Sequence, residues 1–363
     1  MKYLDPYSGE LVKDYQKLIS DFGIEPFRPG TFPNPNRLMR RGIIFGGRDL
    51  KVIQDCISKK KPFYVLSGIM PSAKKIHFGN KMVVEQIRYF QDQGAQAFIL
   101  VADMEACAAR GIDLNLARKN ALEHHIPAYI ALGLDPKKTT FYFQSDNRSV
   151  LLLAYEFSQK ITLNEFKAIY GNAEPGRVLS ALTQAGDILY PQLSHKRPGI
   201  IPVGVDQDPH IRLTRDIINR TKSKYGFAPV CSIYHKYMPS LDGSIKMSKS
   251  NSSSVIELPE DIPSVRKKIS RALTGGRATL EEHRRLGAEI EKDMVFELLK
   301  FHLVEDDLEL ERIYNDYSSG RMTSGEIKEV ACEKMELFMK DFIYKLEKAR
   351  HLVCNLDFVK FGK

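Results

Sequence analysis

The order of strands and helices is set by residues 63–102, which read FYVLSGIMPSAKKIHFGNKMVVEQIRYFQDQGAQAFILVA. The apolar run Phe63 to Ser67 has the length of a buried strand, and Phe78 to Gln93 has the apolar spacing of an amphipathic helix. A second apolar run, Ala97 to Ala102, predicts the next strand. A strand, a helix and a strand in this order form a right-handed crossover between parallel strands. The stretch therefore predicts the start of an α/β sheet.

The same alternation continues beyond residue 102. A helical pattern covers Leu116 to Leu132, and three more strand-like runs are Thr140 to Gln144, Ile200 to Val205 and Pro229 to Ile233. Ligands of such sheets bind outside the carboxyl ends of the strands. The sequence thus predicts a Rossmann-like, mainly parallel sheet whose site lies at that edge.

The pattern changes after about Leu258, where charged amphipathic helices replace the strands. Four helical runs follow: Ser264 to Leu273, Asp293 to Val304, Leu308 to Tyr317, and Ser324 to Arg350 with Ser324 as its expected N-cap. Residues 264–287 carry seven Lys or Arg against two Glu. This basic strip is either a nucleic-acid face or a solvated helix face. We expect an N-terminal extension (1–60), a catalytic domain (61–258) and an all-helical domain (259–363).

The composition is that of a globular protein, with 43% hydrophobic and 27% charged residues in a chain of 363. Its apolar runs are far shorter than the roughly 20 residues of a membrane helix. Because the first residues also lack a secretory pattern, a cytoplasmic location is expected. Five dispersed cysteines fit reduced thiols better than disulfides or a zinc site. The surplus of basic over acidic residues, 54 − 45 = +9, favours a polyanionic partner.

A first candidate site follows the first strand of the crossover. The loop from Gly68 leads through His77 and Gly79 to Asn80 and into the helix. Helix N-termini bind phosphate, because free N–H groups and the positive end of the helix dipole face the anion. The alternative is that His77 and Asn80 merely cap the helix. The chain has no P-loop motif and no GxGxxG motif after a strand, so those two nucleotide-binding classes have no support.

A second candidate site is the pentapeptide Lys246-Met247-Ser248-Lys249-Ser250, within a polar stretch. Two ammonium groups on a polar loop suit a triphosphate, since phosphoryl and nucleotidyl transfer depend mainly on stabilising charge that develops on the phosphates. The alternative is a solvated linker.

Together the two sites resemble the paired signatures of class I aminoacyl-tRNA synthetases, His-x-Gly-His after the first strand and Lys-Met-Ser-Lys-Ser after the last. Other segments are similar to tryptophanyl-tRNA synthetases of the archaeal and eukaryotic type. These segments are Arg40 to Phe45, Asp206 to Asp216, Gly275 to Arg277 and Glu281 to Arg284. The matches keep the family's order and span nearly the whole chain.

The resemblance implies a role for each matching residue. ATP would be bound by His77, Gly79, Asn80, Gly204, Asp206 and the loop Lys246, Met247, Ser248, Lys249 and Ser250, with His77, Asn80, Lys246 and Lys249 as the catalytic members. The amino-acid pocket would include Gly68, Glu105, Gln184 and Gln207. Plain structural readings compete: Gln184 as a core amide, and Asp208 before Pro209 as a helix N-cap.

The chain departs from the family's pattern at four positions. Asn80 replaces the second His of the first signature and cannot carry charge. Ile69 stands where relatives have an Arg, so Lys74 or Lys75 would have to substitute for it. Leu66 and Leu100 replace the Tyr and Gln that hold the indole N–H. We therefore expect another acceptor for that group, with Glu105 and Gln184 as the candidates.

The implied activity is tryptophan–tRNA ligation: activation of L-tryptophan with ATP, whose Mg²⁺ enters with the nucleotide, and transfer to tRNA(Trp). No metal site in the protein itself is expected. The resemblance also implies a homodimer, and Arg277 is the residue expected to read the anticodon. The alternatives are tyrosine–tRNA ligation and a catalytically idle paralogue that binds RNA.

Overall fold

The computed structural model describes residues 15–244 and 254–359. Its strands in chain order are β1 (Glu25–Pro26), β2 (Ile44–Arg48), β3 (Tyr64–Ile69), β4 (Ile76–His77), β5 (Gln96–Val101), β6 (Thr139–Phe143), β7 (Gly199–Gly204), β8 (Val230–His235), β9 (Glu257–Leu258) and β10 (Phe358–Val359). Eight of them form one sheet in the order β1-β2-β8-β7-β3-β5-β6-β10, and β4 pairs with β9 in a separate antiparallel ribbon. All neighbours from β8 to β10 are parallel, whereas β1 and β2 are antiparallel additions. The predicted mainly parallel sheet is confirmed.

Helices fill most of the rest of the described chain. They are α1 (Tyr15–Phe22), α2 (Arg37–Arg40), α3 (Leu50–Ser58), α4 (Phe78–Asp92), α5 (Asp103–Arg110), α6 (Leu114–Asn120), α7 (Ile126–Ala131), α8 (Arg148–Ser158), α9 (Leu163–Tyr170), α10 (Pro175–Leu189), α11 (Asp208–Arg220), α12 (Lys222–Tyr225), α13 (Ile262–Ser270), α14 (Leu280–Leu286), α15 (Met294–Leu298), α16 (Asp307–Ser318) and α17 (Ser324–Val353). A π-helical turn, Ala121–His125, joins α6 to α7, and another, Leu299–Leu303, extends α15.

The C-terminal region is helical, as predicted, with two differences in detail. The N-cap of α17 is Thr323 rather than Ser324, because the Thr323 hydroxyl accepts from the Glu326 N–H in a capping box. The Ser324 hydroxyl lies 3.1 Å from the Tyr317 hydroxyl instead. After α17 the chain returns to the sheet as β10, which pairs with β6. The three-part domain division stays a prediction.

The two faces of the sheet belong to different hydrophobic clusters. Val65 and Ile99 point into the cluster that continues to Met335 of α17, whereas Leu66 and Leu100 point into the cluster under α8 to α11. This is the alternation expected of strands covered on both faces. The first cluster runs without a break from the sheet into the C-terminal helices.

The sheet opens between β3 and β7. These strands pair only at Tyr64 and Val65, whereas β3 pairs with β5 over six positions. The chain order also reverses here, because β5 and β6 lie on one side of β3 while β7 and β8 lie on the other. Such a switch point is where ligands bind in open α/β sheets.

Candidate active site

A cavity of about 540 Å³ lies at this opening. Its walls come from the carboxyl ends of β3, β5, β7 and β8 and from α4, α5, α10 and α11. It brings together all nine predicted site residues that lie in these elements and their loops: Gly68, His77, Gly79, Asn80, Glu105, Gln184, Gly204, Asp206 and Gln207. Leu66 and Leu100 also line it.

One end of the cavity is formed by the first turn of α4. His77 Nδ1 accepts from the Gly79 N–H at 3.1 Å, and the His77 N–H donates to Asn80 Oδ1 at 3.1 Å. Both side chains therefore cap the helix and also line the cavity, so the two readings of the motif describe one structure. A Cβ at position 79 would lie 2.8 Å from His77 Cε1. Glycine at this position is what lets the imidazole fold over the turn.

The loop after β7 is packed closely on β8 and the segment following it. The Asp206 N–H donates to the Tyr237 hydroxyl at 3.2 Å. A Cβ on Gly204 would lie 2.6 Å from Asp206 Oδ1 and 3.1 Å from the Tyr237 ring. Any larger residue at position 204 would displace one of these groups from the cavity wall.

An acid–amide cluster lies on the α5 and α10 side of the cavity. Glu105 accepts from the amide nitrogens of Gln144 at 3.1 Å and Gln184 at 3.2 Å. Gln184 is therefore not a core amide, because it faces a carboxylate at the cavity wall. Burial raises the pKa of Glu105, an effect that its hydrogen bonds oppose.

Asp187 also belongs to this cluster, although it was not among the predicted site residues. Its carboxyl is 1% exposed and accepts from the Tyr142 hydroxyl at 3.0 Å and from Gln144 Nε2 at 2.7 Å. Burial raises its pKa well above the ordinary value, and the neighbouring Glu105 adds to the rise. A buried acid with neutral donors in a cavity is a candidate functional group. The sequence feature that could have identified Asp187 is its spacing from Gln184. The two residues are three positions apart and therefore share one face of α10.

Asp208 is not the N-cap that its position before Pro209 suggested. Helix α11 has no side-chain cap, and Asp208 is fully buried. Its carboxylate accepts from Arg48 Nε at 2.7 Å and Nη2 at 2.9 Å, and from the Tyr234 hydroxyl. The sequence could not show this, because Arg48 is 160 residues away.

His210, in the first turn of α11, lines the cavity as a neutral imidazole. Burial lowers its pKa to about 4, and its Nδ1 lies 2.9 Å from the Tyr170 hydroxyl. It supplies hydrogen bonding but no positive charge near neutral pH.

A family model described as "tRNA synthetases class I (W and Y)" matches residues 58–340. The chain belongs to this class I synthetase family. It is 43% identical to a tryptophan–tRNA ligase of Hyperthermus butylicus over 98% of both chains. A similar relative from Methanocaldococcus jannaschii is 42% identical over 97% of both chains.

Two solved structures of this family are close in fold. Tryptophanyl-tRNA synthetase from Aeropyrum pernix has a TM-score of 0.89 and 43% identity, and the match covers 97% of this chain and 98% of that one. The enzyme from Encephalitozoon cuniculi, bound to tryptophan, has a TM-score of 0.84 and 28% identity, with 96% and 98% covered.

The synthetase's Lys246–Ser250 signature lies outside the described residues, but its flanks are described. Ser254 and Ser244 both bond Ser240: the Ser240 hydroxyl donates to the Ser254 carbonyl at 3.0 Å, and the Ser240 N–H donates to the Ser244 carbonyl at 2.9 Å. Beyond Ser254 the chain forms β9, which pairs with Ile76 and His77. The two described flanks are thus joined through Ser240, and the C-terminal flank leads to the strand that pairs with the start of α4.

Arg277 lies away from the cavity, and its guanidinium forms hydrogen bonds within the chain. Its Nε donates to the Gly287 carbonyl at 2.8 Å, and its Nη1 pairs with Glu289. In the same strip Arg266 pairs with Glu329 at 2.9 Å. The anticodon role of Arg277 stays a prediction.

Residues 15–244 and 254–359 contain neither a membrane-spanning helix nor a metal-binding cluster. No helix there is long and apolar enough to cross a bilayer. No group of three or more His, Cys, Asp or Glu side chains in those ranges could hold a metal ion.

Proposed function

We infer that the chain is a tryptophan–tRNA ligase, which activates L-tryptophan with ATP and transfers it to tRNA(Trp). The observation that carries this inference is the single cavity at the sheet opening. In this cavity the N-terminus of α4 meets an apolar pocket that contains two acids, and the chain is similar to tryptophan–tRNA ligases over nearly its full length.

In the first step the tryptophan carboxylate attacks the α-phosphate of ATP and pyrophosphate leaves. The first turn of α4 supports this step, because the positive end of the helix dipole and the His77 and Asn80 side chains lie at the cavity. Lys246 and Lys249 stabilise the charge that develops on the phosphates, and Mg²⁺ enters bound to ATP. The protein needs no nucleophile, since positioning and charge neutralisation supply the acceleration.

In the second step the 3′-terminal ribose of the tRNA attacks the adenylate carbonyl, and AMP leaves. Gly204 and Asp206 border the ribose of the adenylate. The closeness of Gly204 to Asp206 and Tyr237 supports this placement, because it gives the sugar a shallow, rigid wall.

The amino-acid end of the cavity divides into a polar part and an apolar part. Glu105, which is partly exposed, receives the α-ammonium group with help from Gln184 and Gln207. The indole enters the part lined by Leu66 and Leu100, which have no acceptor for its N–H.

Asp187 supplies the hydrogen-bond acceptor for the indole N–H that Leu66 and Leu100 cannot supply. It is the more buried of the two acids, and it follows Gln184 along α10 towards Ile188, which shares a hydrophobic cluster with Leu66 and Leu100. Each carboxyl oxygen of Asp187 has one donor and can accept another.

The experiment is ATP–pyrophosphate exchange with each proteinogenic amino acid in turn. Exchange should depend on tryptophan alone. Exchange driven by tyrosine would refute the specificity, and no exchange with any amino acid would favour an idle RNA-binding paralogue.

A homodimer in the cytoplasm is the remaining part of the proposal. Four large apolar side chains of α8, α9 and α10 are more than half exposed: Leu152, Tyr155, Leu163 and Leu179. Exposed apolar groups mark a protein interface where they form a contiguous patch, and we propose that these side chains form one. Sedimentation equilibrium should give twice the chain mass of 41.4 kDa, and a monomer at micromolar concentration would refute the dimer.

A further inference from the structure

The first turns of α4 present two different faces. His77, Gly79 and Asn80 line the cavity. Phe78 and Lys81 point the other way and are 0% and 4% exposed. Any contact that shifts the buried face must also move the cavity face, because both belong to one rigid helix.

The buried face packs on the C-terminal helical region. The Phe78 ring centroid lies 4.5 Å from that of His302 and 5.4 Å from that of Phe338. Lys81 Nζ lies 5.5 Å from the centroid of the Phe338 ring. The start of α4 is therefore held between the sheet and the C-terminal helices.

A charged network surrounds this contact, with Glu85 of α4 at its centre. One oxygen of Glu85 pairs with both Lys81 and Arg37. Arg37 also donates from Nε to the Phe301 carbonyl at 3.0 Å and pairs with Glu305. The Arg37 guanidinium thus joins α4 to the turn around residues 299–305, which follows α15.

Two more arginines close to Arg37 in the chain, Arg40 and Arg41, form hydrogen bonds to the same turn and to Asp307 after it. Among the residues that it describes, the structure gives neither of them a bond to α4. Arg40 Nε and Arg41 Nε donate to Asp307 at 2.6 and 2.8 Å. Arg41 Nη1 also donates to the carbonyls of Lys300 and Val304 at 2.6 and 2.7 Å. This explains the Arg40-Arg41 motif as a structural clamp on the end of a helical segment, where cations are favoured.

The network is a costly way to join two elements. The second oxygen of Glu85 and both ring nitrogens of His302 are buried with no hydrogen-bond partner among the described residues. Burial also lowers the pKa of Lys81 to about 8. Hydrophobic packing often stabilises as well as a buried ion pair, so what charge adds is a defined geometry.

We propose that Arg37 is a positioning residue for adenylate formation, which fixes the first turns of α4 through Glu85 and so sets where His77 and Asn80 meet ATP. This inference rests on the ligase function proposed above. It assigns the N-terminal segment a role in the reaction without contact to any substrate.

The test compares Arg37→Met with Arg40→Met, a matched loss of a guanidinium that binds the same turn but not α4. Displacing catalytic groups by about 1 Å costs up to a hundredfold in rate, so kcat for tryptophan-dependent exchange should fall about ten- to a hundredfold in Arg37→Met. Tryptophan affinity without ATP should stay within about twofold, because its pocket lies on other elements. Arg40→Met should keep the wild-type kcat.

A double-mutant cycle with Glu85→Gln tests the route of the effect. If Arg37 acts through Glu85, the double variant should be no slower than Arg37→Met alone. Glu85→Gln keeps the side chain's shape, and its own kcat carries the test should Arg37→Met fail to fold.

Three results would overturn the inference. They are equal kcat in Arg37→Met and Arg40→Met, additive effects in the cycle, and a loss of tryptophan affinity parallel to the loss of kcat. Absence of exchange in the unaltered protein would instead refute the ligase function and this inference with it.

Discussion

Asp187 offers the sharpest test of substrate recognition, because its carboxyl is the buried acceptor assigned to the indole N–H. Asp187→Asn keeps the volume of the side chain but turns one acceptor into a donor. That donor cannot face Gln144 Nε2, which is itself a donor 2.7 Å from Asp187 Oδ2, so the amide oxygen takes the Gln144 side. The amide nitrogen then lies on the Tyr142 side and donates to that hydroxyl, and an indole N–H approaching from this side meets a donor instead of an acceptor.

The magnitude follows from one unpaired donor in a buried site. Leaving such a group unsatisfied costs about 1 to 3 kcal/mol, which corresponds to a Kd for tryptophan about 5- to 150-fold higher. The assay is isothermal titration calorimetry without ATP. A second ligand is the tryptophan analogue in which sulfur replaces the indole N–H, since it keeps the shape and removes the donor.

The two ligands and two proteins form a cycle with a clear expected result. Wild type should bind the sulfur analogue about 5- to 150-fold more weakly than tryptophan. The reason is that the site offers an acceptor which the indole N–H pairs and the analogue leaves unpaired. Asp187→Asn should bind the two ligands alike. Glu105→Gln is the matched control and should weaken both ligands equally, because it acts on the α-ammonium group. If Asp187→Asn weakens both ligands equally, Asp187 does not accept the indole N–H.

Three further predictions address the phosphates, the tRNA and stability. Lys246→Ala or Lys249→Ala should slow adenylate formation at least about tenfold, or about 1.4 kcal/mol, with tryptophan binding intact; a parallel loss of affinity by calorimetry would contradict the phosphate role. Arg277→Ala should lower aminoacylation and shrink discrimination against an anticodon mutant while leaving exchange unchanged, and an unaltered cognate-to-mutant ratio would remove it from the anticodon site. His302 is buried with its pKa far below the ordinary value, so the unfolded chain binds its proton first and stability falls as pH drops below about 6.5. His302→Phe should remove about 1.4 kcal/mol per pH unit of that slope in urea unfolding; identical slopes would show that His302 does titrate when folded.

The parts of the fold that the sequence predicted are those encoded locally. The strand Ala97 to Ala102 and the helix from Phe78 follow from apolar spacing, and the structure differs by one residue at their ends. The His77 and Asn80 capping pattern was also local, because both partners lie within one turn. The N-cap of α17 could also have been predicted from the sequence, since Thr323 and Glu326 have capping-box spacing.

The parts that escaped prediction depend on partners distant in the chain. Asp208 was misread because its partner Arg48 lies on β2. Gln144 was missed because it gains meaning only when β6 places it between Glu105 and Asp187. Spacing alone shows which residues share a face, but sheet order decides which faces meet.

The bridge through Gln144 explains how two acids share one small cavity. Its amide nitrogen donates to Glu105 at 3.1 Å and to Asp187 at 2.7 Å, so a neutral amide holds the acids near each other. Two such acids do not both ionise easily, and each raises the cost of the other's charge. When the substrate's ammonium group reaches Glu105, its positive charge offsets the negative charge of that acid. Asp187 is left for the indole N–H, a neutral donor, because each of its oxygens accepts from one donor and can accept from another.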